Sequence, residues 1–282
     1  MTDPAAGSDH RVRIDRHPLP DAAGREGGDA CTAVVVLDRP DVLNAMDWQM
    51  LHALDDAFDQ IEADQSVRTV LLTGAGRAFS AGGDLTSYLE LQRDTVRFPR
   101  FVADVHRVFG RCRLLPVPVI ALVNGVTAAG GLELLLNCDF ALAAGSARIG
   151  DAHLNFGQMG GGGVLTLLPR AIGRERAAEL IFSGRFLDAD VAADWGLVNR
   201  VVPDDQLLEA GLDLAAGIAA KSPLAVANAK EVLQAIWSDN AGVDAGLRYE
   251  RERNSYYCLT SADAPEGLAA FQEKRTPRFH GR

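Results

Sequence analysis

The chain has 282 residues, 48% hydrophobic and 23% charged, enough for a full core in one large domain or in one domain with a smaller appendage. A net charge of −10 argues against a general nucleic-acid or anionic-membrane surface, so any anionic ligand needs a local basic site. Only three lysines are present, Lys221, Lys230 and Lys274; arginine supplies the other positive charge.

Residues 1–20 lack the apolar core of a signal peptide, and no apolar stretch reaches the length of a membrane-spanning helix. Cys31, Cys112, Cys138 and Cys258 are scattered without a C-x-x-C pair, which argues against a disulfide scaffold or a zinc site. These features together predict a cytoplasmic protein. Residues 1–10 and 16–30, rich in Gly, Ala, Asp and Pro, predict a mobile tail and a loop, with "RVRID" between them as a short edge strand.

From there the chain alternates. "TAVVVLD" (32–38) predicts a strand, "DWQMLHALDDAFDQIEAD" (47–64) an amphipathic helix, and "VRTVLLTG" (67–74) a second strand. Helical spacing resumes after Asp84. "PVPVIALVNG" (116–125) predicts a third buried strand with "GGLELLLNCD" (130–139) helical behind it, then strands at "FALAAG" (140–145) and "ARIGD" (147–151). Short apolar strands alternating with helices give an α/β fold class with mostly buried strands. Beyond about 204 only helical periodicity remains, which suggests a second layer or an oligomer interface.

Several familiar motifs fail. "TVLLTGAGRAF" contains G-x-G, but Phe79 stands at the third glycine position of a dinucleotide fingerprint. There is no phosphate-binding G-x-x-x-x-G-K-[ST] loop, no G-x-S-x-G elbow and no H-E-x-x-H pair, and the six histidines show no metal-ligand spacing.

Two glycine-containing turns after successive strands survive this filter, "AFSAGGDL" (78–85) and "VNGVTAAGGLEL" (123–134). Gly82 and Gly83 lower the barrier to turning a backbone N–H outward, and Gly130 and Gly131 stand where a helix begins with its N–H groups free. Two such groups converging on one oxygen make an oxyanion hole, and for a thioester carbonyl they stabilise an enolate. Glu133, three residues after Gly130, lies on the same helical face, where a carboxylate can move a proton. The competing reading is of plain turns with a capping glutamate.

"RAFSAGGDL", "VNGVTAAGGLELLLNCDFALA", "LDRPDVLNAMD" (37–47) and "EGLAAFQEKRTPRF" (266–279) together resemble the crotonase, or enoyl-CoA hydratase/isomerase, superfamily over about residues 32–279. The resemblance implies a spiral of β-β-α units over 31–203, a helical C-terminal region over 204–282 that builds a homotrimer or dimer of trimers, and a flexible 1–30. It implies an acyl-CoA substrate, with coenzyme A as part of that substrate, no tightly bound cofactor and no metal. It places the oxyanion N–H groups at Gly83 and Gly130 and one catalytic glutamate at Glu133. Coenzyme A contacts fall at Leu43, Ala45, Ala78 and Ala81, and at Phe271 and Lys274 from a neighbouring subunit. Lysine is a sensible point charge for a phosphate. By the same resemblance, residues 85–110 cover the acyl pocket, with Tyr88, Phe98, Phe101 and Phe109 shaping it.

One segment departs from the pattern. Hydratases of the family carry a second glutamate in G-x-P-E followed by P-G-x-G-G, whereas this chain reads "GDAHLNFGQMGGGG" (150–163). Ala152 takes the proline position and His153 the glutamate position; a slip of the register would bring Asp151 there instead. A Glu/His pair divides acid and base roles for adding water to an enoyl thioester. It equally suits hydrolytic C–C cleavage of a β-keto acyl-CoA, with His153 activating water. Glu133 alone could serve a double-bond isomerase, and if His153 only packs in its loop, an acyl-CoA-binding protein without catalysis remains.

Overall fold

Seven consecutive residues, Cys31–Leu37, are buried along their whole length and form strand β2, as expected of a strand covered on both faces. The computed structural model describes residues 11–19, 30–238 and 241–281. In it β2 joins a six-stranded sheet with β1 (Val12–Pro18), β3 (Val67–Gly74), β5 (Val119–Val123), β7 (Phe140–Ala144) and β10 (Arg200–Val202), in the order β1-β2-β3-β5-β7-β10. All pairings are parallel except β1 with β2.

A smaller sheet stacks four short strands, β4 (Ala78–Ser80), β6 (Val126–Ala128), β8 (Arg148–Gly150) and β9 (Leu187–Asp188). Successive turns of the chain give one strand to each sheet and then a helical segment. Strands β3 and β4 lead to α2 (Leu85–Leu91) and α3 (Arg97–Leu114); β5 and β6 lead to α4 (Gly130–Asn137). Strands β7 and β8 lead through a 3-10 turn (His153–Phe156) to α5 (Val164–Ile172) and α6 (Arg174–Ser183). This is the expected spiral of β-β-α units. Asn124 clamps one of its corners: Nδ2 donates to the carbonyls of Gly76 and Ala78, and Oδ1 accepts from the Gly74 N–H.

Helix α1 (Trp48–Ala63) is capped by Asp47, whose side chain accepts from the Met50 N–H, and it buries Leu51, Leu54, Phe58 and Ile61. The main core lies between the large sheet, this helix and the α3–α4 layer. The opposite face of the sheet, with Val34, Leu71, Ile120 and Leu142, is covered by Leu207 and Ala215 of α8 (Leu207–Ala219). That helix is the second layer expected from the helical tail.

Helices α9 (Pro223–Ser238), α10 (Val243–Thr260) and α11 (Asp263–Glu273) complete the region. Lys230 anchors α9: its buried Nζ donates to the carbonyls of Cys112 and Val117 and pairs with Asp139 at 2.7 Å. Leu247, Leu259, Leu268 and Phe271 of α10 and α11 stay exposed in the single chain.

Two expectations need revision. The strand expected at 11–15 runs to Pro18, so 16–18 are strand and not loop, because the pairs Arg16–Ala33, His17–Thr32 and Pro18–Cys31 hold them to β2. The rest of the expected tail and loop, 1–10 and 20–29, lies outside the described residues. The single strand expected over 116–125 is β5 alone, and β6 follows it in the other sheet. Segment 164–203, for which the sequence reading names no element, forms α5, α6, β9, α7 (Ala189–Asp194) and β10.

Candidate active site

Strands β4, β6 and β8 are parallel neighbours, so the chain leaves all three at the same edge of the small sheet. Carboxyl ends of parallel strands are where α/β folds bind ligands. Three segments meet there: 81–84, 129–133 and 151–164.

The first segment runs alongside Leu43–Met46. Ala81 N–H donates to the Leu43 carbonyl, Met46 N–H to Gly82 and Asp84 N–H to Met46, at 2.7–2.9 Å. This is a parallel bridge between Met46 and Gly83, whose bonds pass through the residues flanking Gly83. The Gly83 N–H therefore points the other way, into the cavity that the residue lines. Gly82 makes the turn possible. Its φ is +93°, and a Cβ there would stand 2.8 Å from Ala129 Cβ and 2.9 Å from the Ala128 carbonyl oxygen.

The second segment opens α4. Ala129 precedes it with φ 47° and ψ −117°, a conformation rarely taken by a residue with a side chain. Its N–H is held by the carbonyls of Asp151 at 2.8 Å and Gly150 at 3.3 Å. Gly130 is the first residue of the helix, so its N–H has no intrahelical partner. The two glycines are adjacent: a Cβ built on Gly130 would be 3.6 Å from the Gly83 nitrogen.

Glu133, one helical turn into α4, is only 3% exposed. Its Oε1 accepts from the N–H groups of Gly162, at 2.7 Å, and Val164, at 3.3 Å, the latter opening α5. Gly160 and Gly162 leave room for this contact. A Cβ at Gly162 would lie 2.6 Å from Glu133 Oε2, and one at Gly160 would lie 2.2 Å from a Val164 methyl carbon. With Oε1 fixed, Oε2 remains and faces His153 Nε2 at 4.0 Å. Burial pushes the Glu133 carboxyl above its ordinary value, against the opposing pull of His153 and of the Val164 and Gly162 amides.

His153 and Asp151 are both part of this arrangement. The imidazole faces Glu133, and its Nδ1 is 2.8 Å from Asp151 Oδ1. Burial works to lower the His153 value. The hydrogen bond to Asp151 and the charges of Glu133 and Asp151 outweigh it, so the ring stays protonated above its ordinary range.

These groups line a cavity of about 540 Å³. Its apolar wall includes Phe101, Val102, Val105 and Phe109 of α3. Tyr88 lies beside Gly83, and burial together with the charge of Glu133 raises its phenol above the ordinary value. Phe98 does not line the cavity; it packs edge-on against Tyr88 at 5.3 Å between ring centroids. Among the described residues, no group of three or more His, Cys, Asp or Glu is arranged to hold a metal ion. A second cavity of about 750 Å³ lies beneath α8 and α9, away from these groups.

The residues expected to meet coenzyme A divide. Ala45 and Ala81 line the cavity, and Leu43 is half-buried beside them in a left-handed turn whose carbonyl accepts from Ala81. Ala78 is fully buried, and its carbonyl is taken by Asn44 and Asn124, so the structure does not bring it to the cavity. Phe271 is 84% exposed and, with Lys274, sits at the end of α11, outside the cavity of its own chain. Sequence reasoning missed the Gly162 and Val164 amides and the strained Ala129. The glycine run was the only signal of the former.

The family model for enoyl-CoA hydratase/isomerase matches residues 27–282. The short-chain-enoyl-CoA hydratase of Clostridium acetobutylicum is 35% identical over 244 residues, covering 86% of this chain and 92% of that protein. The crystal structure of an enoyl-CoA hydratase from Bacillus anthracis superposes with a TM-score of 0.87 at 34% identity, covering 96% of this chain and all of that one. An enoyl-CoA hydratase from Mycobacterium smegmatis gives 0.84 at 31% identity, covering 96% and 99%.

Proposed function

Because the chain belongs to the enoyl-CoA hydratase/isomerase family and is an enzyme of that type, we propose that it adds water across the double bond of a 2-enoyl-CoA thioester, using Glu133 and His153 as its acid–base pair. The observation that carries this reading is the 4.0 Å separation of Glu133 Oε2 and His153 Nε2. A water at about 2.8 Å from both would subtend roughly 90° between them, near the angle at which one oxygen donates to one partner and accepts from another.

The thioester oxygen accepts from the Gly83 and Gly130 N–H groups, which draws electron density from the β-carbon. One member of the pair takes a proton from the shared water as its oxygen bonds to Cβ. The enolate that forms is held by the two amides until the other member delivers a proton to Cα. The pair carries one exchangeable proton in total, so protonated Glu133 with neutral imidazole and carboxylate with imidazolium are two forms of one state. Either form has a base for water and an acid for carbon.

The coenzyme A portion runs past Leu43, Ala45 and Ala81, and Phe271 and Lys274 reach it from a neighbouring copy in a homotrimer or dimer of trimers. The exposed apolar residues of α10 and α11 support that assembly, with residues 204–282 as its trimerisation region. No tightly bound cofactor is needed.

The Asp151–His153 hydrogen bond favours a second reading, in which His153 activates water against the β-keto carbon of a β-keto acyl-CoA and the oxyanion hole accepts the enolate released by C–C cleavage. Incubation with crotonyl-CoA and with a β-keto acyl-CoA, each followed by mass spectrometry, separates the two. Hydration predicts one water gained by crotonyl-CoA and an unchanged keto substrate. Cleavage of the keto substrate alone selects the second reading. Binding of both without turnover, unaffected by Glu133→Gln, would leave only an acyl-CoA carrier.

A further inference from the structure

Ala152 separates Asp151 from His153, and its backbone is left-handed, at φ 56° and ψ −3°. That turn brings two side chains two residues apart into contact, with Nδ1 to Oδ1 at 2.8 Å. Asp151 is 1% exposed, and His153 is its only side-chain hydrogen-bond partner among the described residues. A buried carboxyl group with one partner is costly to the fold, and so is a left-handed alanine. Both costs serve one contact. The same residue also reaches the oxyanion hole, because its backbone carbonyl accepts from Ala129, the residue before Gly130.

We propose that Asp151 is the positioning residue of this site: its carboxyl group keeps a proton on His153 Nδ1 and aims Nε2 at Glu133, while its carbonyl fixes the start of α4. This rests on the hydration reading above and deepens it. Nε2 then becomes the one ring nitrogen that exchanges a proton with the substrate or its water. Imidazolium formed during turnover faces Asp151 on one side and Glu133, from α4, on the other; Tyr88, from α2, faces Glu133 in turn. Without Asp151 the ring can rotate or carry its proton on Nε2, and then neither role is reliably available.

The test combines Asp151→Asn and Asp151→Ala with kinetics and with nitrogen-15 NMR of the histidine rings. The expected result is a folded protein whose kcat on crotonyl-CoA falls about 100-fold or more with KM within a few-fold. The alkaline limb of its pH profile moves down, and the bonded Nδ1–H signal of His153 is lost or displaced. Should the alanine variant fail to fold, the asparagine variant carries the test, since it keeps the volume of the side chain. Wild-type kcat with an unmoved alkaline limb in Asp151→Asn would overturn the proposal, as would a loss confined to KM. If the wild type hydrates no enoyl thioester, the hydration reading fails, while the ring signal still decides what Asp151 does.

Discussion

Nε2 of His153 stands 4.0 Å from Oε2 of Glu133 across the floor of the cavity, with Asp151 behind the imidazole. Both members of this pair hold their proton above the ordinary range. For Glu133 the cause is burial; for His153 it is the Asp151 bond and the carboxyl charges, which outweigh burial. The working state has one proton on the pair. It exists above the first proton loss, which lies higher than 4.5, and below the second, which lies higher than 6.5. The pH profile of kcat/KM is therefore expected to be bell-shaped, with both limbs displaced upward from those values. A flat profile from pH 5 to 9 would contradict the pairing.

Glu133 also weighs on stability. Its carboxyl binds a proton more tightly folded than unfolded, so its contribution is fully present below pH 4.5 and is lost as pH rises through the raised value. Glu133→Gln keeps an oxygen for the Gly162 and Val164 amides and removes the buried charge. The variant should melt higher than the wild type at neutral pH, with the gap closing below about pH 4.5, while its activity drops by about 100-fold or more. Melting curves at pH 4 and pH 7 test both arms.

Gly162 acts through its missing side chain. In Gly162→Ala the new Cβ meets Glu133 Oε2 at 2.6 Å and Val105 Cγ1 at 2.9 Å, so the carboxylate must shift. A shift near 1 Å in a catalytic group costs about 100-fold. The loss should fall on kcat and leave coenzyme A binding near its wild-type value, as read by steady-state kinetics and calorimetry.

Lys230 holds α9 to the core through Asp139 and two carbonyls. Lys230→Met leaves that carboxylate without its cation and should destabilise the chain by about 3–5 kcal/mol, seen as a lower urea midpoint. Adding Asp139→Asn should recover part of the loss. Equal stability of Lys230→Met and wild type would remove the anchor from this account.

The strands of the large sheet and most of the long helices were legible because burial on both faces leaves continuous apolar runs, as in Cys31–Leu37, and because 16 to 18 residues display a helical period well. Of the small sheet only β8 was, at "ARIGD", since three-residue strands such as β4 and β6 are too short to show alternation. Helices α5 to α7, of 6 to 10 residues, fail for the same reason. At the site, spacing pointed to Glu133 and to the pairs Gly82–Gly83 and Gly130–Gly131, while the choice of Gly83 and Gly130 and the place of His153 opposite Glu133 came from the family resemblance. Asp151 appeared only as a rival for the place of His153, whereas the structure brings both side chains together, with His153 facing Glu133. Backbone donors such as the Gly162 amide carry no side-chain signature, and nothing in "RAFSAGGDL" distinguishes buried Ala78 from Ala81, which lines the cavity.

The most direct test of the Glu133–His153 pair is turnover of crotonyl-CoA in water labelled with oxygen-18 and deuterium, analysed by mass spectrometry beside Glu133→Gln and His153→Ala. Hydration by the shared water predicts one oxygen-18 at Cβ and one deuterium at Cα in the same product, with both labels lost in each variant. Deuterium entering without oxygen-18 would mark an isomerase, and full double labelling by His153→Ala would contradict the role assigned to the histidine.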